Sequence, residues 1–150
     1  SNGNIITYNS VPKSWGAIIC GFNTLSDSDL ETYGFYNIVT PSKKESQEYG
    51  DIEWDADNSV YTYPVINKTY SDTVAELKTK KIANLKFIYN RKLSETDWYV
   101  IRAAEGGTAV PSDITTERSD LRAECATKES EINAKTTKAG VVDYQLPNLD

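Results

Sequence analysis

The sequence predicts an α+β fold: a small antiparallel β-rich N-terminal region with one short helix, followed by a helical C-terminal region that is hairpin-like or coiled-coil-like. Short alternating segments separated by turn residues fill the first region, and that pattern is typical of strands. Apolar residues recur at helical spacing through the second region. The change falls at 67–71, so we predict a β-rich region at 4–66, a helical region at 70–136 and a tail at 137–150.

The clearest strand signal in the first region is a hairpin. Alternating segments at 51–55 and 60–65 flank the polar loop 56–59, whose length suits a hairpin turn. Pro64 cannot donate a ladder hydrogen bond, so the second strand must lie at an edge or end at that residue.

One short helix is predicted among the strands. Ser26 is a good N-cap, acidic residues fill the first turn, and Gly34 can end the helix in the left-handed conformation. Short strands are predicted before and after this helix, at 4–8 and 35–39. A helix this short is unstable alone, so its apolar residues must pack on the rest of the region.

Two long helices are predicted in the second region. Ser71 caps the first, which runs to about Arg91, and Ser112 starts the second. The second helix carries a narrow apolar seam with steps of seven, four and seven residues: Ile114, Leu121, Cys125 and Ile132. A narrow seam is typical of a coiled coil or an exposed hairpin helix. We therefore predict that the seam packs against the first long helix, against copies of the chain, or both, and that the chain forms a homo-oligomer.

A short helix with a large indole lies between the two long ones. Ser94 and Asp97 have the spacing of a capping box, and Gly106 can end the helix. Trp98 and Ile101 recur at helical spacing and are predicted to anchor this helix in the core. Trp98→Ala is then expected to cost about 3–5 kcal/mol of stability.

Composition argues against several kinds of chemistry. The chain has 150 residues, a formal charge of −6 and no histidine, so it lacks the usual general base and the commonest transition-metal ligand. Acidity without a basic tail argues against nucleic acid as a partner, and no apolar run reaches the ~20 residues that span a bilayer. Cys20 and Cys125 fit no metal or redox motif, and Cys20 is expected to be a small core residue. We predict a protein without enzymatic activity, cofactor or metal.

The hairpin carries the most suggestive polar and aromatic side chains. The loop 55–59 offers alternate oxygens, as calcium loops do, but Ile66 stands where such a loop needs a bidentate glutamate. Aromatic residues on the paired strands would suit contact with a glycan: Trp54, Tyr61 and Tyr63. Glu53 and Asp55 fit the solvent face of an edge hairpin better than a catalytic pair.

Four stretches carry short motifs that invite comparison with a known family. They are 25–36, 39–41 with 47–52, 60–65, and 93–102 with 110–112 and Arg118. The last stretch is the most specific, with a leucine, an acid, Thr-Asp-Trp, and then a proline and an arginine-bearing helix. Together the four stretches resemble small structural proteins of tailed bacteriophages, the tail-fibre and tail-fibre-assembly proteins.

The resemblance implies a tail protein that binds fibre or tail subunits, either as a virion component or as an assembly chaperone. Its location would be the virion or, during assembly, the host cytoplasm. The alternative is a receptor- or glycan-binding module of the tail, which would use Trp15 and Trp54 with the tyrosine-rich strands. Phage fibres are often trimeric, which is consistent with self-association through the helical region.

Overall fold

The computed structural model describes residues 5–149, and the chain divides into two compact units. The β-rich unit comprises 5–42 and 49–66, and the helical unit comprises 43–48 and 67–149. The predicted α+β fold class is confirmed, with short strands before long helices. The division differs in detail from the predicted regions, because the segment 43–48 and the tail both belong to the helical unit.

Residues 5–149 contain five short strands: β1 (Ile38–Val39), β2 (Gln47–Tyr49), β3 (Glu53–Asp55), β4 (Val60–Thr62) and β5 (Val65–Asn67). β4 is the centre of a three-stranded sheet, in which it pairs antiparallel with β3 and parallel with β1. β2 and β5 pair in a separate two-stranded sheet. The sheet register places Trp54 of β3 opposite Tyr61 of β4.

The predicted hairpin is confirmed, whereas the flanking strands are shorter than predicted. β3 and β4 are joined by the turn 56–59, and β4 ends before Pro64. The predicted strand at 35–39 is reduced to β1. The predicted strand at 4–8 is wrong over residues 5–8, because this exposed segment pairs with no neighbouring strand; residue 4 lies outside the described residues.

The short helix α1 (Asp27–Thr32) begins and ends as predicted. The Ser26 hydroxyl accepts a hydrogen bond of 3.2 Å from the Asp29 amide, so it caps the first turn. Gly34 takes a left-handed φ of 81°, which ends the helix. α1 buries Leu30 in the β-rich unit.

In the apolar run 17–22, which precedes α1, only the last residue is buried. Phe22 opens a single 3-10 turn (Phe22–Thr24) and is fully buried. Cys20 is exposed, so its predicted core position is wrong. The reason is a chain reversal: Trp15 and Ile18 exchange two backbone hydrogen bonds of 3.0 Å, so this run forms a tight turn and not a strand laid over a core.

The helical unit contains four helices within residues 67–149: α2 (Val74–Ser94), α3 (Asp97–Ala104), α4 (Ser112–Asn133) and α5 (Lys138–Val142). α2 and α4 form an antiparallel hairpin. Lys78 Nζ donates to Asn133 O (2.6 Å) at one end, and the Arg118 guanidinium donates to Leu93 O (2.7 Å) towards the other. Of the two predicted arrangements, a hairpin or a coiled coil, the hairpin is the one observed, and α5 also packs on α2.

The core of the helical unit lies between α2 and α4. Leu85, Tyr89 and Ile132 are buried, and burial raises the pKa of the Tyr89 hydroxyl. Partly buried residues pack against these three: Ile82, Leu121, Cys125, Tyr144, Leu146 and Leu149. The seam of α4 therefore packs on the long helix of its own chain, which is one of the predicted partners, and Ile114 at its start is partly buried.

Two predicted helix caps are wrong by a few residues. α2 is capped by Thr73 and not by Ser71: Thr73 Oγ1 accepts from the Glu76 amide (3.2 Å), and Glu76 Oε2 accepts from the Thr73 amide (2.7 Å). This capping box satisfies two amides that a helix start leaves unpaired. Ser94 is the last residue of α2 and donates to a carbonyl one turn earlier, so it cannot cap α3.

The tail contains the helix α5 and is held against the helical unit. The Thr137 hydroxyl accepts from the Gly140 amide (3.0 Å), so it caps α5, and Gly140 lies within this helix. Asp143 then accepts hydrogen bonds from the amide (2.8 Å) and hydroxyl (2.7 Å) of buried Ser46. Burial by itself would raise the pKa of the Asp143 carboxyl, but the two hydrogen bonds from Ser46 hold that pKa below its usual value.

Candidate binding surfaces

Thr96 and Asp97 of the Thr-Asp-Trp motif form one hydrogen-bonded cluster with Leu93 and Arg118. The Arg118 guanidinium donates from Nη1 to Leu93 O (2.7 Å) and to Thr96 Oγ1 (2.6 Å). Its Nη2 donates to Asp97 Oδ1 (2.8 Å), and the Arg118 side chain is only 10% exposed. The cluster satisfies a carbonyl at the end of α2 and ties the first residue of α3 to α4. We call these four residues the Arg118 clamp.

The clamp leaves the large side chains of α3 exposed. Trp98 is 50% exposed and Ile101 is 56% exposed, so the prediction that they anchor the helix in the core is wrong. The physical reason is that α3 is held by a polar contact, the ion pair between its first residue, Asp97, and Arg118 of α4. This contact does not require any side chain of α3 to be buried, and none is. We call the segment 98–102 the α3 surface; Val100 within it is also exposed, whereas Tyr99 and Arg102 are half-buried.

Arg102 is the cation of the α3 surface, and its side chain is held in place. The guanidinium carbon lies 4.8 Å from the centre of a Trp98 ring and 5.5 Å from that of Tyr99, which is cation–π geometry. Gly106 turns the chain with a φ of 85°, and the Gly107 amide then donates to Arg102 O (2.9 Å). A Cβ at position 107 would lie 2.8 Å from Arg102 Cγ, so glycine lets the chain close over the arginine stem.

Most other cations of the helical unit are used within it. Basic side chains that donate to, or form an ion pair with, a carboxylate or carbonyl of this unit include Lys78, Lys80, Lys81, Lys86, Lys92, Arg118, Lys128 and Lys138. Arg102 has no hydrogen-bond acceptor for its guanidinium and no ion-pair partner among residues 5–149, although Glu105 is three residues away. Its Nε is shielded from solvent.

The β-rich unit carries a second surface, a groove of about 690 Å³. Six aromatic residues line this aromatic groove: Tyr8, Trp15, Tyr33, Phe35, Tyr36 and Tyr61. Two carboxylates also line it, those of Asp27 and Glu31, and Asn37 Nδ2 donates to Asp27 Oδ2 (3.1 Å). Grooves of this volume that combine aromatic walls with polar groups are typical of sites for small ligands.

Of the three predicted glycan contacts, Trp54 and Tyr61 lie together and Tyr63 lies apart. Trp54 packs against Tyr61 (ring centres 5.1 Å apart) and against Tyr36 (4.8 Å), and Trp54 is 43% exposed. Tyr63 lies outside this group of three rings and contacts Tyr49 instead (6.0 Å). Sequence reasoning missed Tyr36, because its place depends on the parallel pairing of β1 with β4, for which the chain has no local signal.

The acidic hairpin loop stabilises its own turn. Asp55 Oδ1 accepts hydrogen bonds from the amides of Asp57 (3.1 Å) and Asn58 (3.2 Å), and Asn58 Nδ2 donates to Asp55 Oδ2 (2.8 Å). The side-chain bond from Asn58 contributes most to holding the pKa of Asp55 below its usual value. The loop therefore behaves as an Asx turn, and no group of potential ligands arranged for a metal ion is found among residues 5–149.

Comparison with known proteins gives no family assignment: no protein-family model, curated protein or solved structure matches the chain. Within residues 5–149, every helix is too short or too polar to cross a membrane. The α3 surface and the aromatic groove are the two surfaces on which a functional interpretation can rest.

Proposed function

We propose that this chain is a non-enzymatic tail protein of a tailed bacteriophage, and that it binds fibre or tail subunits as a virion component or an assembly chaperone. The observation that carries the proposal is the α3 surface. The residues that resemble the phage family build a clamp, and that clamp holds Trp98 and Ile101 exposed. An exposed apolar surface on a firmly held helix is typical of a protein-binding site.

The residue types of the α3 surface also support partner binding. Tryptophan, tyrosine and arginine are the residues that most often dominate binding energy at protein interfaces, and Trp98, Tyr99 and Arg102 adjoin one another here. These side chains bind and orient a partner, whereas proton transfer at neutral pH needs a group that titrates in that range. As a protein that binds fibre or tail subunits, it would act in the virion, or in the host cytoplasm during assembly.

The proposal is tested on particles of the virus that encodes the chain. Mass spectrometry of purified particles would detect a retained component, and cross-linking in infected cells would detect a chaperone bound to fibre or tail subunits. We expect one of the two results, and we expect Trp98→Ala with Ile101→Ala to weaken it. Phe87→Ala is the matched control, because Phe87 is 70% exposed on α2, outside the α3 surface. Absence from particles together with absence of such cross-links would overturn the proposal.

A second candidate, a receptor- or glycan-binding module, is favoured by the aromatic groove and by exposed Trp54, which packs against two of the rings that line the groove, Tyr36 and Tyr61. Exposed rings beside carboxylate and amide groups suit the apolar faces and hydroxyls of a sugar. Glycan-array screening of the full chain should then show reproducible binding that Trp54→Ala abolishes. Tyr63→Ala is the matched control, since Tyr63 lies outside the ring group of Trp54. Binding that Trp54→Ala leaves unchanged would count against this candidate.

A further inference from the structure

We infer that the α3 surface binds a partner segment in which a carboxylate lies beside a large apolar side chain, and that Arg102 receives the carboxylate. The inference rests on the proposed partner-binding function and adds the chemistry of the partner. It is carried by a juxtaposition: an arginine without an acceptor lies over an exposed indole, with its guanidinium carbon 4.8 Å from the centre of a Trp98 ring.

Arg102 is already positioned for binding. Trp98 and Tyr99 lie against its guanidinium, and the Gly107 backbone closes over its stem. A side chain that is fixed before binding loses little conformational freedom when the partner arrives. A guanidinium also presents paired N–H donors that match both oxygens of one carboxylate, so it favours this anion over a neutral acceptor.

The carboxylates of the surrounding chain do not satisfy Arg102. Asp97 lies in the Arg118 clamp, and Glu95 pairs with Lys92. Glu105 follows α3 but forms no ion pair with Arg102. The shielded Nε lacks an acceptor among residues 5–149, and an unmade hydrogen bond of this kind disfavours the unbound state. The Nη groups are not shielded in this way and also lack an acceptor in the part of the chain that the structure describes, so they are the donors that a partner's carboxylate can reach.

The apolar part of the partner follows from the neighbours of Arg102. The indole of Trp98 lies against the Arg102 guanidinium and is 50% exposed, so it is the apolar patch beside the arginine. A large aliphatic or aromatic side chain would cover this patch and exclude water from the arginine–carboxylate pair. Exclusion of water strengthens such a pair, because the effective dielectric constant around it falls.

Charge and packing argue against two other occupants. A nucleic acid would meet a chain of net charge −6 and the acidic side chains along α4, among them Asp113, Glu117 and Asp120. A second copy could offer those carboxylates, but the large apolar residue among them, Leu121, already packs in the core between α2 and α4. A segment of a different protein, acidic and apolar together, fits the surface better.

The test uses the full chain and defined peptides. Random peptides of about 12 residues would be selected on the immobilised protein, and the best binders resynthesised with every Asp and Glu replaced by Asn and Gln. We expect selected peptides to carry an acid near Trp, Phe, Leu or Ile, and the amide versions to bind at least about tenfold more weakly by fluorescence anisotropy.

Two variants and one control locate the effect. Arg102→Gln should reduce the acid-over-amide preference from about tenfold to within about twofold, and Gly107→Ala, which displaces the arginine stem, should reduce it as well. Arg122→Gln, at an exposed arginine of α4, should leave the preference unchanged. Circular dichroism of each variant verifies that the helices remain folded.

Several results would overturn the inference. They are a selection without enriched acids, a preference that survives Arg102→Gln, stronger binding of a single-stranded oligonucleotide than of any peptide, or self-association that Arg102→Gln abolishes. The particle and cross-linking experiment is independent of these results. Cross-links to tail subunits outside the α3 surface would support the proposed function but overturn this inference. Acid-selective peptide binding without any link to particles would support this inference but overturn the proposed function.

Discussion

The two units of the chain stabilise themselves by different means. The β-rich unit has strands of two or three residues, and its buried centre is a ring cluster in which Phe22 lies 5.1 Å from Phe35. The helical unit has two helices of more than 20 residues, and its centre is a layer of Leu85, Tyr89 and Ile132 between them. Short strands supply few ladder hydrogen bonds, so ring packing must contribute more in the first unit.

This difference explains why aromatic residues reach the surface in both units. In the β-rich unit, the rings that surround Phe22 also line the open groove, so one cluster serves as core and as surface. In the helical unit, the core between α2 and α4 does not include the indole of Trp98, and the Arg118 clamp holds α3 instead. Aromatic side chains are thus exposed in the β-rich unit because its core rings also line the groove, and in the helical unit because polar contacts hold α3.

The largest expected effect comes from breaking the ring cluster. Phe22→Ala removes a fully buried ring and should lower the stability of the β-rich unit by about 3–5 kcal/mol. Urea unfolding followed by near-UV circular dichroism measures this change, while the far-UV helical signal should keep its own midpoint. Tyr33→Ala is the control, with a smaller loss expected because Tyr33 is 48% exposed. An equal shift of both signals would show that the two units unfold as one.

The second largest effect is expected from breaking the Arg118 clamp, because the clamp holds α3 by polar contacts as the ring cluster holds the β-rich unit by packing. Arg118→Ala leaves Leu93 O and the Asp97 carboxylate without their donor and should lower helical stability by about 2–3 kcal/mol. Arg118→Lys should recover only part of this loss, since an ammonium lacks the planar fork. Far-UV circular dichroism in urea measures both. If Arg118→Ala lowered the free energy of unfolding by less than Arg122→Ala does, the Arg118 clamp would not be a main source of helical stability.

A smaller and pH-dependent effect is expected where the tail docks. Asp143→Asn weakens the two hydrogen bonds from Ser46 and should cost about 1–2 kcal/mol at about pH 7. Because the pKa of Asp143 is lowered in the folded state, its contribution is fully present above the unfolded pKa of about 4 and is lost as pH falls below it. Unfolding at about pH 7 and about pH 3 should therefore show the difference between the two proteins shrinking with acid. A difference that stays constant would contradict this assignment.

The smallest effect on stability is expected at the indole itself. Trp98→Ala should cost less than about 1 kcal/mol, since half of the side chain is exposed, and this replaces the larger loss expected from the sequence. The same urea unfolding experiment measures it. A loss of about 3 kcal/mol or more would mean that the indole is a core residue, and partner binding through the α3 surface would lose its support.

Local chemistry was sufficient for several features. The Ser26 cap, the left-handed Gly34, the 56–59 turn and the start of α4 at Ser112 follow from a few adjacent residues, and all were predicted. The contact between Trp54 and Tyr61 also follows from the short turn between β3 and β4, which sets their register.

Long-range contacts decided the rest, because a local pattern cannot say what lies opposite it. Helical spacing is the same for a buried tryptophan and an exposed one, so the position of Trp98 depended on what else holds α3. Arg118 was singled out in the sequence only as part of a short motif, and no local pattern indicated the atoms to which its guanidinium donates. Its partner Leu93 lies 25 residues earlier in the chain. Only tertiary packing brings the guanidinium to that carbonyl, and the same contact leaves the indole exposed.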